Sequence, residues 1–312
     1  MADSNSLIHL ITDYLEYLEV ERQVSQHTVR NYAHYLTRFS AWFEKRGYKD
    51  IKKLDLKMVR KYRVYLSRLT DEKGIPLSRV TQSYHVISLR GFLKWLIKND
   101  YDVLAPDKID LPKTESKSLK FLDQDQVERL LNAPSISTER GLRDKAILEM
   151  LFSTGLRVSE LVSLNRDQIN LKRREFGVIG KGKKARIVFL SSRAVEWIQK
   201  YFDMREDMWI PAFVRYTRTK AEPYDKGEEM RLSARSVQRI VEKYRKKAKL
   251  PVKITPHGLR HSFATDILSG GAGLREVQEM LGHKNISTTQ IYTHVTNPQL
   301  RSVHEKYHSG NK

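Results

Sequence analysis

A stretch without any periodic pattern divides this sequence into two parts that must fold around separate cores. Residues 105–120 contain two prolines, several polar residues and no apolar repeat, which is typical of a linker. With 312 residues, the chain is long enough for two domains that each bury a core. We therefore predict a first domain over residues 1–104, a linker over 105–120 and a second domain over 121–312.

The first domain is predicted to be entirely helical. Leu7, Ile11, Tyr14 and Leu18 are spaced as on one face of a helix, and three further segments repeat such a pattern. Basic side chains lie off these apolar stripes, where they either lie in solvent or contact a partner. The three further segments are residues 25–47, 55–69 and 78–99.

The second domain is predicted to combine helices with a small β-sheet. Two β-rich runs flank a turn at 180–184 and indicate a hairpin, while residues 206–231 are polar and irregular and are predicted to be an exposed loop. The expected fold class is mainly α with a small β-sheet: a helical domain joined to an α+β domain. Helical patterns cover about 123–132, 142–154, a short segment from 158, 192–205, 233–249, 258–268, 274–281, 287–294 and 298–308.

The strongly basic composition indicates a polyanionic partner. The chain has 57 Lys and Arg residues against 37 Asp and Glu residues, a formal net charge of +20. Both parts are basic, with 19 against 14 in residues 1–112 and 38 against 23 in residues 113–312. Nucleic acid is the usual partner of such a protein.

Several classes of protein are disfavoured by the same sequence. Without cysteine, the chain has no disulfides, thiolate metal sites or cysteine nucleophiles. It lacks a run of about 18 apolar residues that could cross a membrane, and its first residues do not resemble a secretory signal. We expect a cytoplasmic protein.

Four segments of the second domain carry side chains suited to phosphate chemistry. Arg157 follows a glycine that ends a helix, and Lys181 lies in a glycine-flanked turn where backbone can approach a ligand closely. His257 and Arg260 are three residues apart at a helix start, so they share a face. Taken singly, each of these segments fits an ordinary surface or packing role better than a catalytic one. The six side chains are Arg157, Lys181, His257, Arg260, His283 and Tyr292.

Two familiar phosphate and metal motifs are absent from the sequence. The glycine-lysine repeat at 180–183 lacks the spacing of a nucleotide-binding loop. The histidines do not form a His-Glu-x-x-His motif, and no carboxylate cluster supplies what two-metal phosphoryl transfer needs. We therefore expect neither a metal nor a cofactor.

Together these segments resemble the tyrosine recombinase, or phage integrase, family in order and spacing. The matching strings are TGLRVSEL around Arg157, GKGKKARIV around Lys181, HGLRHSFAT around His257 and Arg260, and then LGH and IYTH. Near the N-terminus, SQHTVRNYAHYLTRF is similar to the family's helical core-binding domain, so the resemblance covers nearly the whole chain. With two domains, the likeness is greatest to the Xer recombinases of bacteria.

The resemblance implies that DNA is cut and rejoined at Tyr292. Its phenol oxygen would attack a backbone phosphorus and form a reversible 3′-phosphotyrosine bond. Arg157 and Arg260 would neutralise the charge that develops on the phosphate oxygens. Glu160 lies on the same helix face as Arg157 and either orients a partner or forms a surface salt bridge.

The remaining roles follow from the same resemblance. Lys181 would protonate the departing 5′-oxygen, and His257 would accept the proton of the nucleophile. His283 would hydrogen-bond a phosphate oxygen. His261 and His294 are expected to be structural.

The expected substrate is double-stranded DNA at a specific core site, bound from both sides by the two domains. A C-terminal helix near 298–308 would pack on a neighbouring protomer to give a homo- or hetero-tetramer, or on its own domain. A second Xer-like recombinase and a septal DNA translocase are further expected partners. DNA contacts are predicted for Arg30, Arg79, Arg90, Lys183, Lys184, Arg186, Arg235 and Arg239.

Resolution of chromosome dimers through a Holliday junction is the predicted role, and integration or excision of a mobile element is the alternative. A type IB topoisomerase would share the chemistry but relax one duplex without pairing two sites. A DNA-binding regulator without catalysis would need basic side chains but no phenol nucleophile.

Overall fold

In the computed structural model, the chain divides into two compact units, Met1–Ser116 and Lys117–Lys312. The structure describes residues 6–111, 121–180, 185–216, 226–282 and 289. These residues form eleven α-helices and one two-stranded sheet, which confirms the predicted fold class. No helix within the described ranges is long and apolar enough to span a membrane.

The first unit contains four helices, each begun by a side chain that accepts a backbone N–H. Ser6, Ser25, Asp55 and Ser78 are these N-cap residues. The fourth helix packs against the other three around a core of leucines and aromatic rings. The helices are α1 (Leu7–Val20), α2 (Gln26–Glu44), α3 (Leu56–Arg68) and α4 (Arg79–Lys98).

The first residues of the predicted linker pack on this unit. Pro106–Lys108 form a single 3₁₀ turn, and Ile109 is buried in the first core. The division between the two units therefore falls near residue 116, some way beyond the predicted end of the first domain at 104.

The second unit is built around a buried helix, α6, which packs against four other helices and one strand. Thr138 caps its N-terminus, so it begins at Glu139, three residues before the predicted start. The helices are α5 (Gln124–Leu131), α6 (Glu139–Thr154), α7 (Val158–Ser163), α8 (Ser192–Met204), α9 (Ala234–Lys247), α10 (Pro256–Ser269) and α11 (Leu274–Leu281).

The predicted hairpin is present as β1 (Glu175–Ile179) paired antiparallel with β2 (Ala185–Phe189). In this register Val178 lies opposite Arg186. The turn that joins the strands and the predicted helices at 287–294 and 298–308 lie outside the described residues, apart from Thr289.

The prediction of an exposed loop over 206–231 was wrong for most of its described part. Residues 211–214 are buried, because the run Ile210-Pro-Ala-Phe-Val is apolar enough to enter the second core. The backbone there is paired: Ile210 N–H donates to the Lys226 carbonyl and Arg215 N–H to the Met230 carbonyl. An apolar run this short, with polar residues on both sides, shows no periodic pattern, so the sequence did not indicate that the segment is buried.

Candidate active site

The turn between α6 and α7 holds Arg157. Gly155 ends α6 with a left-handed φ of +59° and donates its N–H to the Leu151 carbonyl. A Cβ atom at this glycine would lie 2.4 Å from the Phe263 ring, so the turn packs more closely on α10 than any other residue would allow. Arg157 is then the N-cap residue of α7, with 32% of its side chain exposed.

Glu160 fixes Arg157 from within the same helix turn. One carboxylate oxygen accepts the Arg157 backbone N–H at 2.9 Å, and the other accepts its guanidinium at 2.8 Å. The Glu160 side chain is only 6% exposed. Burial alone would raise the pKa of this carboxyl, but hydrogen bonds from Arg186 and from Arg157 outweigh it and lower the pKa to about 2. Glu160 is therefore ionised at any working pH.

Arg260 is a buried guanidinium that joins two segments of the site. It donates to the carbonyl of Gly155 at 2.6 Å and to the carbonyl of Leu281 at 2.5 Å, and the residue is 1% exposed. These carbonyls close α6 and α11, where the helix dipoles attract a cation. Since they stand two residues before Arg157 and two before His283, Arg260 fixes the backbone leading to both positions.

His257 lies at the start of α10, one turn before Arg260. The helix is capped by Thr255 and begins with Pro256, which is suited to a first helical position. Desolvation of the His257 ring lowers its pKa, and the positive charges of Arg260 and Arg157 lower it further. The ring of His261 lies 4.3 Å from that of His257, and burial holds its pKa at about 4.

Three of the six predicted catalytic side chains are therefore brought together in the second unit: Arg157, His257 and Arg260. The arrangement presents cationic and neutral nitrogen groups that suit a phosphate. Among the described residues, no three His, Asp or Glu side chains are grouped closely enough to hold a metal ion. The other predicted site residues, Lys181, Lys183, Lys184, His283 and Tyr292, lie outside the described ranges.

The predicted DNA contacts of the first unit differ in their surroundings. Arg30 is exposed and lies 2.9 Å from the His27 ring, and Arg79 is exposed at the start of α4. Arg90 is half-buried and forms an ion pair with Asp107 at 3.5 Å. Part of its charge is therefore already neutralised by the protein.

On α9, two predicted DNA contacts are exposed. Arg239 is exposed, and Arg235, also exposed, donates to the side chain of Gln238 at 3.3 Å. Both remain available to a partner on the outer face of the helix.

Arg186 has a different environment from the one predicted. Its guanidinium donates to both oxygens of Glu160 at 2.8 and 2.9 Å and to the Met280 carbonyl at 3.1 Å, and its side chain is 10% exposed. This placement favours a supporting role over a phosphate contact. The alternation of side chains along β2 could have indicated the buried position of Arg186, because Arg186 lies on the same strand face as the buried Val188.

Comparisons with known proteins identify the family to which this chain belongs. The model of the Phage integrase family matches residues 120–298, and that of the Phage integrase N-terminal SAM-like domain matches residues 11–100. Tyrosine recombinase XerD of Staphylococcus epidermidis is 33% identical over 300 residues, which cover 96% of this chain and 98% of that protein. Tyrosine recombinase XerC of Bacillus subtilis is 35% identical over 309 residues, with 95% and 94% covered.

Solved structures share the fold. A crystal structure of XerA recombinase matches with a TM-score of 0.51 and 27% identity, covering 97% of this chain and 99% of that one. The XerH recombinase bound to a palindromic difH substrate matches with a TM-score of 0.71 and 22% identity, covering 96% and 84%. With its family model spanning more than half its length and relatives about one third identical along nearly all of it, this chain belongs to the phage integrase family as an Xer-type tyrosine recombinase, an enzyme that breaks and rejoins DNA.

Proposed function

We propose that this chain exchanges strands between two specific DNA sites through a covalent 3′-phosphotyrosine at Tyr292 and a Holliday junction. The supporting observation is the convergence of Arg157, His257 and Arg260 at one point of the second unit. Separate stretches of chain contribute these groups, and a phosphoryl group needs them together.

Each of the three has a definite task in this proposal. Arg157 has a partly exposed guanidinium that binds the non-bridging phosphate oxygens, and the buried charge of Arg260 adds to the positive potential. Hydrogen bonds from donors held in place in this way strengthen as negative charge develops on the phosphate oxygens in the transition state. Loss of one such donor typically slows a reaction by about 10²–10³-fold. His257, with its lowered pKa, is neutral and accepts the proton of Tyr292.

Lys181 and His283 complete the proposed site, as donors to the leaving 5′-oxygen and to a phosphate oxygen. The backbone on either side supports this assignment. Arg186 follows Lys181 by five residues, and the Leu281 carbonyl bound by Arg260 precedes His283 by two. Arg186 binds Glu160, the carboxylate partner of Arg157, and the Leu281 carbonyl accepts from Arg260, which also donates to the Gly155 carbonyl.

The proposed biological role is the resolution of chromosome dimers in the cytoplasm, at the nucleoid. The names of the relatives, XerC and XerD, support it. The proposed assembly is a tetramer of this chain, alone or with a second Xer-like recombinase, linked by exchange of the C-terminal helices and controlled by a septal DNA translocase. Incubation with nicked substrates distinguishes the role: covalent adducts at the host's chromosomal resolution site support it, and adducts only at mobile-element ends favour the alternative.

The nucleophile assignment predicts the behaviour of Tyr292→Phe. This variant should form no covalent adduct with a nicked suicide substrate, because it lacks the attacking oxygen, yet should bind the same DNA with nearly unchanged affinity. The adduct is measured by denaturing gel and mapped by mass spectrometry, in excess chelator. Tyr48→Phe, a tyrosine of the first unit, is the matched control and should form wild-type amounts. Substantial adduct in Tyr292→Phe would reject the assignment.

A further inference from the structure

We infer that Arg186 is a positioning residue for strand cleavage, acting through Glu160 to hold Arg157 in place. The inference rests on the proposed function, since it assigns a role within the same site. It replaces the phosphate contact that the sequence suggests for Arg186. Three contacts that Arg186 makes with protein atoms carry it.

The first two contacts form a buried ion pair between strand and helix. Both Arg186 terminal nitrogens reach Glu160, one on each carboxylate oxygen, in the paired geometry that a planar guanidinium matches best. With side chains 10% and 6% exposed, neither group is well solvated. A lone buried charge is costly, so each residue requires the other.

Glu160 transmits this constraint to Arg157. The same two oxygens that accept from Arg186 also accept from Arg157, one from its backbone N–H and one from its guanidinium. Both the position and the direction of the Arg157 side chain therefore depend on a carboxylate that Arg186 also binds.

The third contact ties in another segment of the site. Arg186 Nε donates to the Met280 carbonyl, three residues before His283. Its side chain also lies close to Gly282, because a Cβ atom added to that glycine would be 3.1 Å from Arg186 Cδ. One guanidinium on β2 thus binds both Glu160 of α7, the carboxylate partner of Arg157, and the end of α11. A cation confined in this way cannot also serve as a mobile phosphate contact.

The inference predicts a rate defect without a binding defect in Arg186→Met. At saturating protein, single-turnover formation of the covalent adduct should fall by about 100-fold, as expected when a catalytic group is misplaced by about 1 Å. The DNA dissociation constant should stay within about twofold, because the many phosphate contacts outside the active site are unchanged. Arg186→Lys keeps the positive charge but cannot bind both Glu160 oxygens at once as the planar guanidinium does, and should recover part of the cleavage rate. Arg173→Met, which removes an exposed arginine before β1, controls for loss of one charge.

A pH profile separates positioning from general support. In Arg186→Met the Glu160 carboxyl stays buried but loses the hydrogen bonds from Arg186 that lower its pKa, leaving Arg157 as the charged group facing it. Its pKa should rise, so the cleavage rate should gain a new acid-side ionisation absent from wild type. The double variant Glu160→Gln/Arg186→Met removes both charges. It should show a cooperative unfolding transition in a urea titration, and its cleavage rate should stay low and lack the new ionisation.

Three results would overturn the inference: cleavage by Arg186→Met at the rate of the Arg173→Met control, weakened DNA binding with a normal rate at saturation, or full activity in the double variant. If Arg186→Met fails to fold, the double variant and Arg186→Lys decide, since neither leaves the buried Glu160 carboxylate with Arg157 as its one cationic partner. Absence of adduct with wild-type protein would instead reject the proposed function.

Discussion

His257 and His261 lie one helical turn apart beside the buried Arg260, in a region that already holds a second guanidinium at Arg157. Positive charge on either ring would be repelled, and the surrounding atoms provide poor solvation. The site thus combines fixed cations with neutral imidazoles. That combination suits an anion beside a proton acceptor, as the proposed function requires.

We expect His257 to titrate below its ordinary value of 6.5 in the folded protein. A lowered pKa means that the proton leaves at lower pH, so the neutral form persists further into acid and proton acceptance from Tyr292 is lost only below 6.5. Heteronuclear NMR of the imidazole nitrogens measures the midpoint. Arg157→Met removes one positive charge and should move that midpoint upward. A wild-type midpoint at or above 6.5, or no movement in the variant, would contradict this electrostatic contact.

Helix ends, more than helix interiors, build this site. Gly155 and Gly282 both adopt left-handed backbone at the ends of α6 and α11. Each is followed within two residues by a predicted catalytic side chain, Arg157 or His283. The carbonyls freed at those ends are taken by Arg260 and Arg186.

Gly155→Ala tests the close packing of this turn. The variant should lose about 1–2 kcal/mol of unfolding free energy from left-handed strain, plus about 1–3 kcal/mol from overpacking against Phe263. Gly271→Ala is the control, because its φ is +98° but open space surrounds the added methyl. Urea denaturation compares the two. Equal losses would show that contact with Phe263 does not matter.

Sequence periodicity predicted most elements because their apolar residues repeat regularly. The Leu7–Leu18 stripe and the β-rich runs around 180–184 are of this kind. Local patterns could not predict two features that depend on distant partners. The buried residues 211–214 pair with two segments, 164–165 and 231–232, that lie seventeen or more residues away. Arg186 is held by Glu160, twenty-six residues before it.

The residues of the candidate site could be predicted from the sequence only when they were considered together. Arg157, His257 and Arg260 are ordinary residues taken singly, and their order along the chain resembles the family as a whole. Nothing in the local sequence identifies the carbonyls of Gly155 and Leu281 as the partners of Arg260, because these contacts arise from packing of α10 between the ends of α6 and α11.

Each unit has its own apolar core, and each bears excess positive charge. One core spans residues 7–109 and the other 122–259, with a smaller cluster where α10 meets α11. The net charges of +5 and +15 from the two parts of the sequence place most of the attraction for DNA in the second. There α9 presents an exposed basic stripe at four-residue spacing: Arg235, Arg239, Lys243 and Lys247.

DNA affinity of the whole molecule should therefore fall steeply with salt, because each neutralised phosphate releases condensed cations. For about six contacts, raising salt from about 50 to about 200 mM should weaken binding by about 10³-fold, measured by fluorescence anisotropy. Arg235→Gln/Arg239→Gln should reduce the slope of log affinity against log salt by about two. Arg245→Gln should leave it unchanged, because Arg245 is held by Glu242 and the Leu250 carbonyl. A flat response, or an equal effect of Arg245→Gln, would mean that α9 does not face the phosphates.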